Sequence, residues 1–264
     1  MNGISFVRPS KTIPISVTGK KCPLNCLHCA GRYLEGMRDV EETARIEKAP
    51  SYLVTGGCNL DGKVPILECS ELLRKLPEGS RKIAHTGLMD ERDAGLLSDF
   101  IDVVSFDFVG DNRIIKEVYG LNKSVDDYID SFQSLSNHLP TYPHLTIGLY
   151  KGELAGEHEA LDILESLGTD SIVLNVFMPT GGTELAHMSP PNLGEVREVV
   201  KRAREKFANV YLGCMRPGGS YRRELDVLAI EEGCDRIVNP SKPARDLAAE
   251  KGIPTNWKEE CCIL

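Results

Sequence analysis

The sequence predicts an α/β fold, a (β/α)8 barrel of the TIM type, full or nearly closed. It reads as a single domain over residues 1–264, with residues 252–264 forming a cysteine-bearing C-terminal tail. Three observations carry this expectation. Short apolar runs rich in β-branched and aromatic residues recur along the chain. Each is followed by a helical pattern, and such alternation implies a parallel sheet. Finally, 264 residues divided among eight units leave 33 for each, a comfortable length for a βα repeat.

In chain order the predicted strands are Thr12–Thr18, Tyr52–Thr55, Lys82–His85, Val103–Phe108, Leu145–Leu149, Ser171–Phe177, Val210–Cys214 and Asp235–Val238. Pro14 lies inside the first and cannot donate to a ladder, so this strand is expected to keep one unpaired edge, and an open doubly wound sheet is the alternative architecture. Among the helices, Asn192–Phe207 places Val196, Val199, Val200, Ala203 and Phe207 on one face, with Asn192 and Glu195 at capping-box spacing. Asp90–Phe100 reads similarly, with Leu96, Leu97 and Phe100 inward. Helices near Glu157–Leu167 and Ser220–Glu232 each end at a glycine, Gly168 and Gly233, suited to a left-handed cap. In either architecture ligands bind at the carboxyl ends of the strands.

Composition narrows the function. With 41% hydrophobic and 27% charged residues the chain has a globular balance. The net charge of -8, with no Lys/Arg block longer than pairs such as Arg222-Arg223, argues against a nucleic-acid partner, whose affinity comes from neutralising phosphates. No apolar run reaches the roughly 20 residues that span a bilayer, and Met-Asn-Gly-Ile-Ser is no secretory leader, so no membrane role and a cytoplasmic location are expected. The tail Cys261-Cys262-Ile263-Leu264 superficially matches a prenylation signal, but no polybasic segment precedes it. Nine cysteines without an export signal read as thiols or metal ligands.

Directly after the first strand comes Gly19-Lys20-Lys21-Cys22-Pro23-Leu24-Asn25-Cys26-Leu27-His28-Cys29-Ala30, with three cysteines spaced C-x3-C-x2-C. Thiolates hold iron-sulfur clusters, and a short irregular loop can aim three of them at three irons of one cube. The fourth iron is then open to chelate the amino and carboxylate groups of S-adenosylmethionine (SAM) and to pass an electron into its sulfonium, giving methionine and a 5'-deoxyadenosyl radical. The competing reading is zinc held by the three cysteines with His28 or His85, but structural zinc usually couples two paired motifs and no second pair lies nearby.

The triplet and the βα order over essentially the whole chain resemble the radical SAM superfamily. That resemblance implies a radical SAM barrel carrying a [4Fe-4S] cluster on Cys22, Cys26 and Cys29, which are its catalytic and metal-binding residues. The residue before the third cysteine, usually aromatic in the family and near the SAM adenine, is His28 here. Val54-Thr55-Gly56-Gly57-Cys58 looks like the family's Gly-Gly-Glu segment beside the SAM amino group, with Cys58 in the glutamate position. Further SAM contacts implied are Ser105 and Asp107 at the ribose, where an acidic side chain accepts from both hydroxyls, and Asn175 on the sixth strand. Asp107 as a mere helix cap is the plain alternative. Met178-Pro179-Thr180-Gly181-Gly182-Thr183 is similar to the loop that closes over adenine or substrate.

Within the superfamily the Pro-Thr-Gly-Gly-Thr loop and Gly213-Cys214-Met215-Arg216-Pro217-Gly218-Gly219 resemble the biotin synthase-like branch, which includes lipoyl synthases, hydrogenase-maturation enzymes and methylornithine synthase. The compact length is similar to archaeal-type biotin synthase homologues, some of them halves of a two-component lipoyl synthase. This implies sulfur insertion into an octanoyl chain on a lipoyl carrier protein, with a second radical SAM subunit and an electron donor such as ferredoxin or flavodoxin. A sacrificed second iron-sulfur cluster would use Cys58, Cys214, Arg216, Cys261 and Cys262; the plain reading makes Cys58 and Cys214 cavity lining and Cys69 and Cys234 small buried hydrophobes. The alternatives are a radical SAM rearrangement or maturation enzyme without sulfur insertion, and, more remotely, a non-enzymatic iron-sulfur electron-transfer protein. His85 and His144 read as satisfied core groups, and Tyr150 and Tyr221 as hydrogen donors with no spacing argument behind them.

Overall fold

The computed structural model describes residues 3–43 and 48–264. In chain order its strands are β1 (Ile4–Val7), β2 (Thr12–Ser16), β3 (Arg38–Asp39), β4 (Ser51–Thr55), β5 (Arg81–His85), β6 (Val103–Asp107), β7 (Thr141–Ile147), β8 (Ser171–Val176), β9 (Asn209–Leu212), β10 (Arg236–Val238) and β11 (Thr255–Lys258). All the described ladders are parallel, in the order β11-β1-β10-β9-β8-β7-β6-β5-β4-β2-β3. The helices are α1 (Val40–Thr43), α2 (Ser70–Leu73), α3 (Glu91–Leu97), α4 (Val125–Ser136), α5 (Glu157–Ser166), α6 (Leu193–Lys206), α7 (Gly219–Glu231) and α8 (Lys242–Glu250), with a π-helical turn at Ile114–Val118.

The eight expected strands are all present and adjacent in sequence order, as β2 and β4 to β10. Closure differs from a simple barrel. No ladder joins β2 to β10 among the described residues; instead the segment from Ile4 to Ser16 spans the seam, its first half pairing with β10 and β11 and its second half with β4 and β3. Pro14 pairs with Leu53 on one side, while β3 reaches β2 only at Ile15 and Ser16, which leaves the proline its unpaired edge.

Two apolar clusters show where the sheet curls. The larger fills the space between sheet and helices and includes the fully buried Val196, Val199, Val200 and Ala203 of α6. α6 is capped by Asn192, whose side chain accepts from Gly194 N at 2.8 Å, and the full capping box falls on α4, between Ser124 and Asp127. On α3 the expectation for Leu96 is overturned: it is 46% exposed, because Ala94 and Leu97, three residues apart, take the inner face. Gly168 and Gly233 adopt φ of 77° and 74° just past α5 and α7, as anticipated.

The second cluster joins Val7, Ile83, Val103, Val173, Tyr211 and Val238, from six different strands, with Leu53 and Tyr142 against them. Side chains from that many strands meet only inside the curl, so this cluster is the lower layer of the lumen. The tail completes it. Cys262 and Ile263 are buried in the same cluster, with Cys261 and Leu264 packed on it. Arg236 donates to the Cys262 carbonyl, Lys258 Nζ reaches Leu264 O at 2.8 Å, and Arg81 pairs with Glu260 at 2.5 Å. Arg81 and Arg236 open β5 and β10, so the tail plugs the amino-terminal floor. No described helix is long and apolar enough to cross a membrane.

Candidate functional site

Strand alternation builds the site from the lower layer upward. Two residues beyond Leu53, Ile83, Val103, Val173 and Tyr211, on the same faces, stand Thr55, His85, Ser105, Asn175 and Gly213. Register pairs His85 with Ser105, Asp107 with His144 and Thr146 with Asn175. The upper lumen is therefore a polar ring over an apolar floor. It brings together Thr55, Ser105, Asp107 and Asn175, four of the residues singled out in sequence, at the carboxyl ends of the strands.

Above the ring lies the cysteine loop. Its backbone coils through left-handed residues, including Asn25 at φ 49° and Ala30 at φ 45°, conformations that non-glycine residues seldom adopt away from functional loops. Cys29 N and Ala30 N both reach the Cys26 carbonyl, at 3.2 and 2.8 Å, while Leu27 N bonds Val118 O at 2.9 Å, tying the loop to the π-helical turn. Ligand atoms of Cys26, His28 and Cys29 lie within 4.8 Å of one another. Cys26 shares a hydrogen bond with Cys29 that draws the Cys29 thiol well down and, with burial, pushes its own thiol up. Cys22 stands apart from that trio, its Sγ 4.0 Å from the Cys58 carbonyl. A closed zinc site needs four converging donors, and the described residues bring only three.

Gly57 of the Gly-Gly segment is required by packing within the protein itself. A Cβ there would stand 2.1 Å from Lys21 O and 2.5 Å from Cys22 Cα, so the glycine lets β4's end lie against the cysteine loop. Gly57 N also donates to the Thr18 hydroxyl oxygen at 2.7 Å. The neighbouring Gly56 abuts Val17 and Thr18. The Cys58 thiol is half-buried and pushed up to about 12 by burial, then by Cys22, Asp107 and Cys29. Thr55 is committed to structure, donating from Oγ1 to His85 O at 3.1 Å.

The ring and the loop hold buried polar atoms that meet no partner: Asn175 Oδ1 and His28 Nδ1. Unpaired buried acceptors are costly and uncommon. Around Asn175 the space is made by Gly213, whose Cβ would fall 2.1 Å from that oxygen. His28 lies between Tyr119 and Tyr33, ring centroids 5.3 and 6.5 Å away, and Tyr33 hydroxyl meets Thr180 Oγ1 at 2.9 Å. This gathers His28 and the loop after β8 on one side of the mouth, as a flat aromatic ligand needs.

His85 and His144 both line the lumen; His144 is buried and bonded to the Tyr142 carbonyl, as a satisfied core group, whereas His85 departs from that expectation, its Nε2 buried without a hydrogen bond. His85 Nε2 lies 3.2 Å from Asp107 Oδ2 at an angle outside hydrogen-bond geometry, and the two imidazole centroids are 5.7 Å apart. Burial disfavours the Asp107 charge, but His85 and then His144 and His28 outweigh it and hold the carboxyl at about 2. His85 is correspondingly raised, against its burial, by Asp107. His144 is lowered to about 4 by burial and by His85. The signal that could have found His85 is its position at the carboxyl end of the predicted strand Lys82–His85, the same rule that found Asp107; His144 precedes the predicted strand Leu145–Leu149 and carried no such signal.

The remaining cysteines divide. Cys214 follows β9 and is exposed to the lumen, and Cys261 reaches up from the plug far enough to be felt by both His85 and Cys214. Cys262 is buried beneath. Cys234 is buried and Cys69 half-buried, the latter 3.9 Å from the Val17 carbonyl. Arg216 is buried in the wall, donating to Asp226 Oδ1 at 2.9 Å and to the carbonyls of Gly213 and Val238. Its bonds therefore fix the β9 and β10 ends. Tyr150 and Tyr221 hydroxyls are bonded to Glu117 and to the Pro191 carbonyl.

No family model and no curated protein matches the chain in sequence. Solved structures do match in shape. Methylornithine synthase superposes over 97% of this chain and 84% of its own, with a TM-score of 0.64 at 14% identity. An HMG-CoA lyase from Acenitobacter baumannii, in complex with coenzyme A and 3-methylmalate, superposes over 98% of this chain and 87% of its own, with a TM-score of 0.54 at 11% identity. At such identities the likeness establishes the curled βα fold. One architecture serves both of these enzymes, so chemistry must be argued from the site.

Proposed function

We propose that this chain is a radical SAM enzyme, with Cys22, Cys26 and Cys29 holding a [4Fe-4S] cluster over the polar ring of the lumen. The observation that carries the reading is the pairing of a loop that brings Cys26, Cys29 and His28 within 4.8 Å of one another, with Cys22 on the same loop, and buried, partnerless atoms, Asn175 Oδ1 and His28 Nδ1, at the carboxyl mouth of the sheet. Three thiolates suit a cluster with one open iron better than a four-donor ion. When bound, the cluster and SAM supply one-electron cleavage of the sulfonium to methionine and a 5'-deoxyadenosyl radical that abstracts hydrogen from unactivated carbon. The protein's own part is to orient the nucleoside against His28, which Tyr119 backs edge-on, to offer Asn175 and Asp107 as acceptors, and to keep bulk water from the lumen by the plugged floor.

The finer reading is sulfur insertion of the lipoyl synthase type, on an octanoyl group presented by a lipoyl carrier protein, with a partner radical SAM subunit and a ferredoxin or flavodoxin as electron source. Its support is the second set of thiols, Cys214 and Cys261 facing one lumen with Cys262 below, where a second iron-sulfur cluster would meet the substrate radical. A rearrangement without sulfur, as in methylornithine synthase, is favoured by a different observation. The ring of Thr55, His85, Ser105, Asp107, His144 and Asn175 is polar and suits a compact, hydrogen-bonding substrate better than an alkyl chain.

Anaerobic reconstitution tests both. Wild-type protein is expected to bind iron and sulfide, to show a reduced-state EPR signal that changes with SAM, and to release 5'-deoxyadenosine. A Cys22→Ala, Cys26→Ala, Cys29→Ala variant that keeps part of the iron, lost in turn with Cys214→Ala and Cys261→Ala, favours sulfur insertion. Complete loss of iron favours the rearrangement, and a wild type that binds iron without cleaving SAM overturns the enzyme reading.

A further inference from the structure

Asp107 closes β6 with its side chain 48% accessible, yet it stands inside the curl, so the water it meets is lumen water. Its one charged contact is His85, and among the described residues neither carboxylate oxygen has another bonded partner. Oδ2 thus stands 3.2 Å from the imidazole as an ion-pair contact, and Oδ1 has no partner among the described residues. A carboxylate so presented accepts from two adjacent hydroxyls of a ribose. His85 reaches it from the next strand, and its Nε2 is buried with no other use. His144, one strand further, is neutral: its Nδ1 is 3.1 Å from the Tyr142 carbonyl, which only accepts, so the proton sits on Nδ1.

We propose that His85 is a positioning residue, an imidazolium that holds the Asp107 carboxylate as an oriented anion for the hydroxyl pair of a nucleoside ligand. The proposal rests on the radical SAM reading, with SAM as that ligand, and adds to it a residue that neither the cysteine motif nor the strand-end acid supplies. The groups that feel the Asp107 charge come from every side: His85 from β5, His144 from β7, His28 from the cysteine loop, Cys58 after β4, Cys214 after β9, Tyr119 beside the cysteine loop and Tyr128 of α4 behind the sheet. His85 itself faces Asp107, His144 and Cys261. Burial is the largest influence on Asp107 and acts to protonate it, so removing the His85 cation makes the carboxyl acid-sensitive at a higher pH.

The test is the pH dependence of SAM affinity in reconstituted, oxidised protein, read as a dissociation constant rather than a turnover. Between about pH 5.5 and 8 the wild type is expected to bind SAM with constant affinity, because Asp107 stays ionised throughout. His85→Gln is expected to bind about tenfold more weakly at the acid end than at the alkaline end, as one charge-assisted bond is lost on protonation. Asp107→Asn is expected to bind weakly at every pH. A His85→Gln curve that superposes on the wild type overturns the proposal, as does Asp107→Asn binding as tightly as wild type. A wild type carrying its full iron that binds no SAM at any pH strikes down the nucleoside reading itself, and the two failures are thereby told apart. Should the variants lose iron, the carbon-13 carboxyl resonance of Asp107 in the wild type decides: it is expected to move on addition of SAM, and a fixed resonance overturns the proposal.

Discussion

The mouth of the lumen and its floor both gather cysteines, by opposite means. At the mouth, Cys22, Cys26 and Cys29 belong to one short loop whose coiling is fixed by local bonds, so twelve residues of sequence carry most of the arrangement. At the floor, Cys261 and Cys262 arrive from the far end of the chain and come under Cys214, which follows β9, only because Arg236, Lys258 and Arg81 clamp the tail into the curl. Both ends hold buried polar atoms without a partner, His28 Nδ1, His85 Nε2 and Asn175 Oδ1 at the mouth and Arg236 Nε and Glu260 Oε2 at the floor, but the mouth adds the left-handed Asn25 and Ala30 and the floor is filled by buried aliphatic side chains. What sets the mouth apart is the strained backbone of its loop, placed where a ligand would bind, while the floor is packed as an apolar core.

The sharpest way to break this contrast is at Gly57. Gly57→Ala sets a methyl against the Lys21 carbonyl and the Cys22 backbone, neither of which is a flexible side-chain end. The local cost is expected to exceed about 4 kcal/mol if the loop stays put, so the loop should move instead. Bound iron per chain is expected to fall to a small fraction of wild type while the thermal midpoint changes little. Retained iron would mean that the loop is not held by β4. At the floor the opposite outcome is expected. Ile263→Ala removes a side chain that is 4% exposed, at a cost of about 3 kcal/mol, lowering the thermal midpoint while leaving iron content at the mouth unchanged. A midpoint within a degree of wild type would show that the tail does not seal the core.

The same contrast explains how much could be read from sequence. The eight alternating strands, the cysteine loop, and Thr55, Ser105, Asp107 and Asn175 were legible because hydrophobic period and strand-end position are local properties. Strand β1 was not, since four residues, Ile-Ser-Phe-Val, gain strand character only from β10 and β11 beside them. β11, Thr-Asn-Trp-Lys, is largely exposed and polar, and β3 is two residues long. Without those three the seam and the plug cannot be foreseen. His144 is the buried, hydrogen-bonded group expected, but that His85 faces the lumen with Nε2 unmet could not be read, because a histidine in a strand looks alike from either face and only the ladder register shows which side is lumen.

The smallest effect expected separates the two lumen histidines by the sign of their pH dependence. His144 has a folded value near 4, below the roughly 6.5 of an unfolded histidine, so the unfolded chain binds the extra proton. Its burial therefore removes stability as pH falls from about 6.5 to 4, by at most about 3 kcal/mol, and restores it above that window. His85 is shifted the other way by Asp107, so its contribution is fully present below about 6.5 and fades as pH rises through its raised folded value. Chemical denaturation across pH 4 to 7 is expected to show a shallower acid slope for His144→Gln than for wild type. His85→Gln should instead lose stability relative to wild type at the acid end of that range and converge toward it at higher pH. Parallel curves for the two variants would mean that Asp107 does not discriminate between them, and that the His85–Asp107 pair is no more than a contact of neighbouring strands.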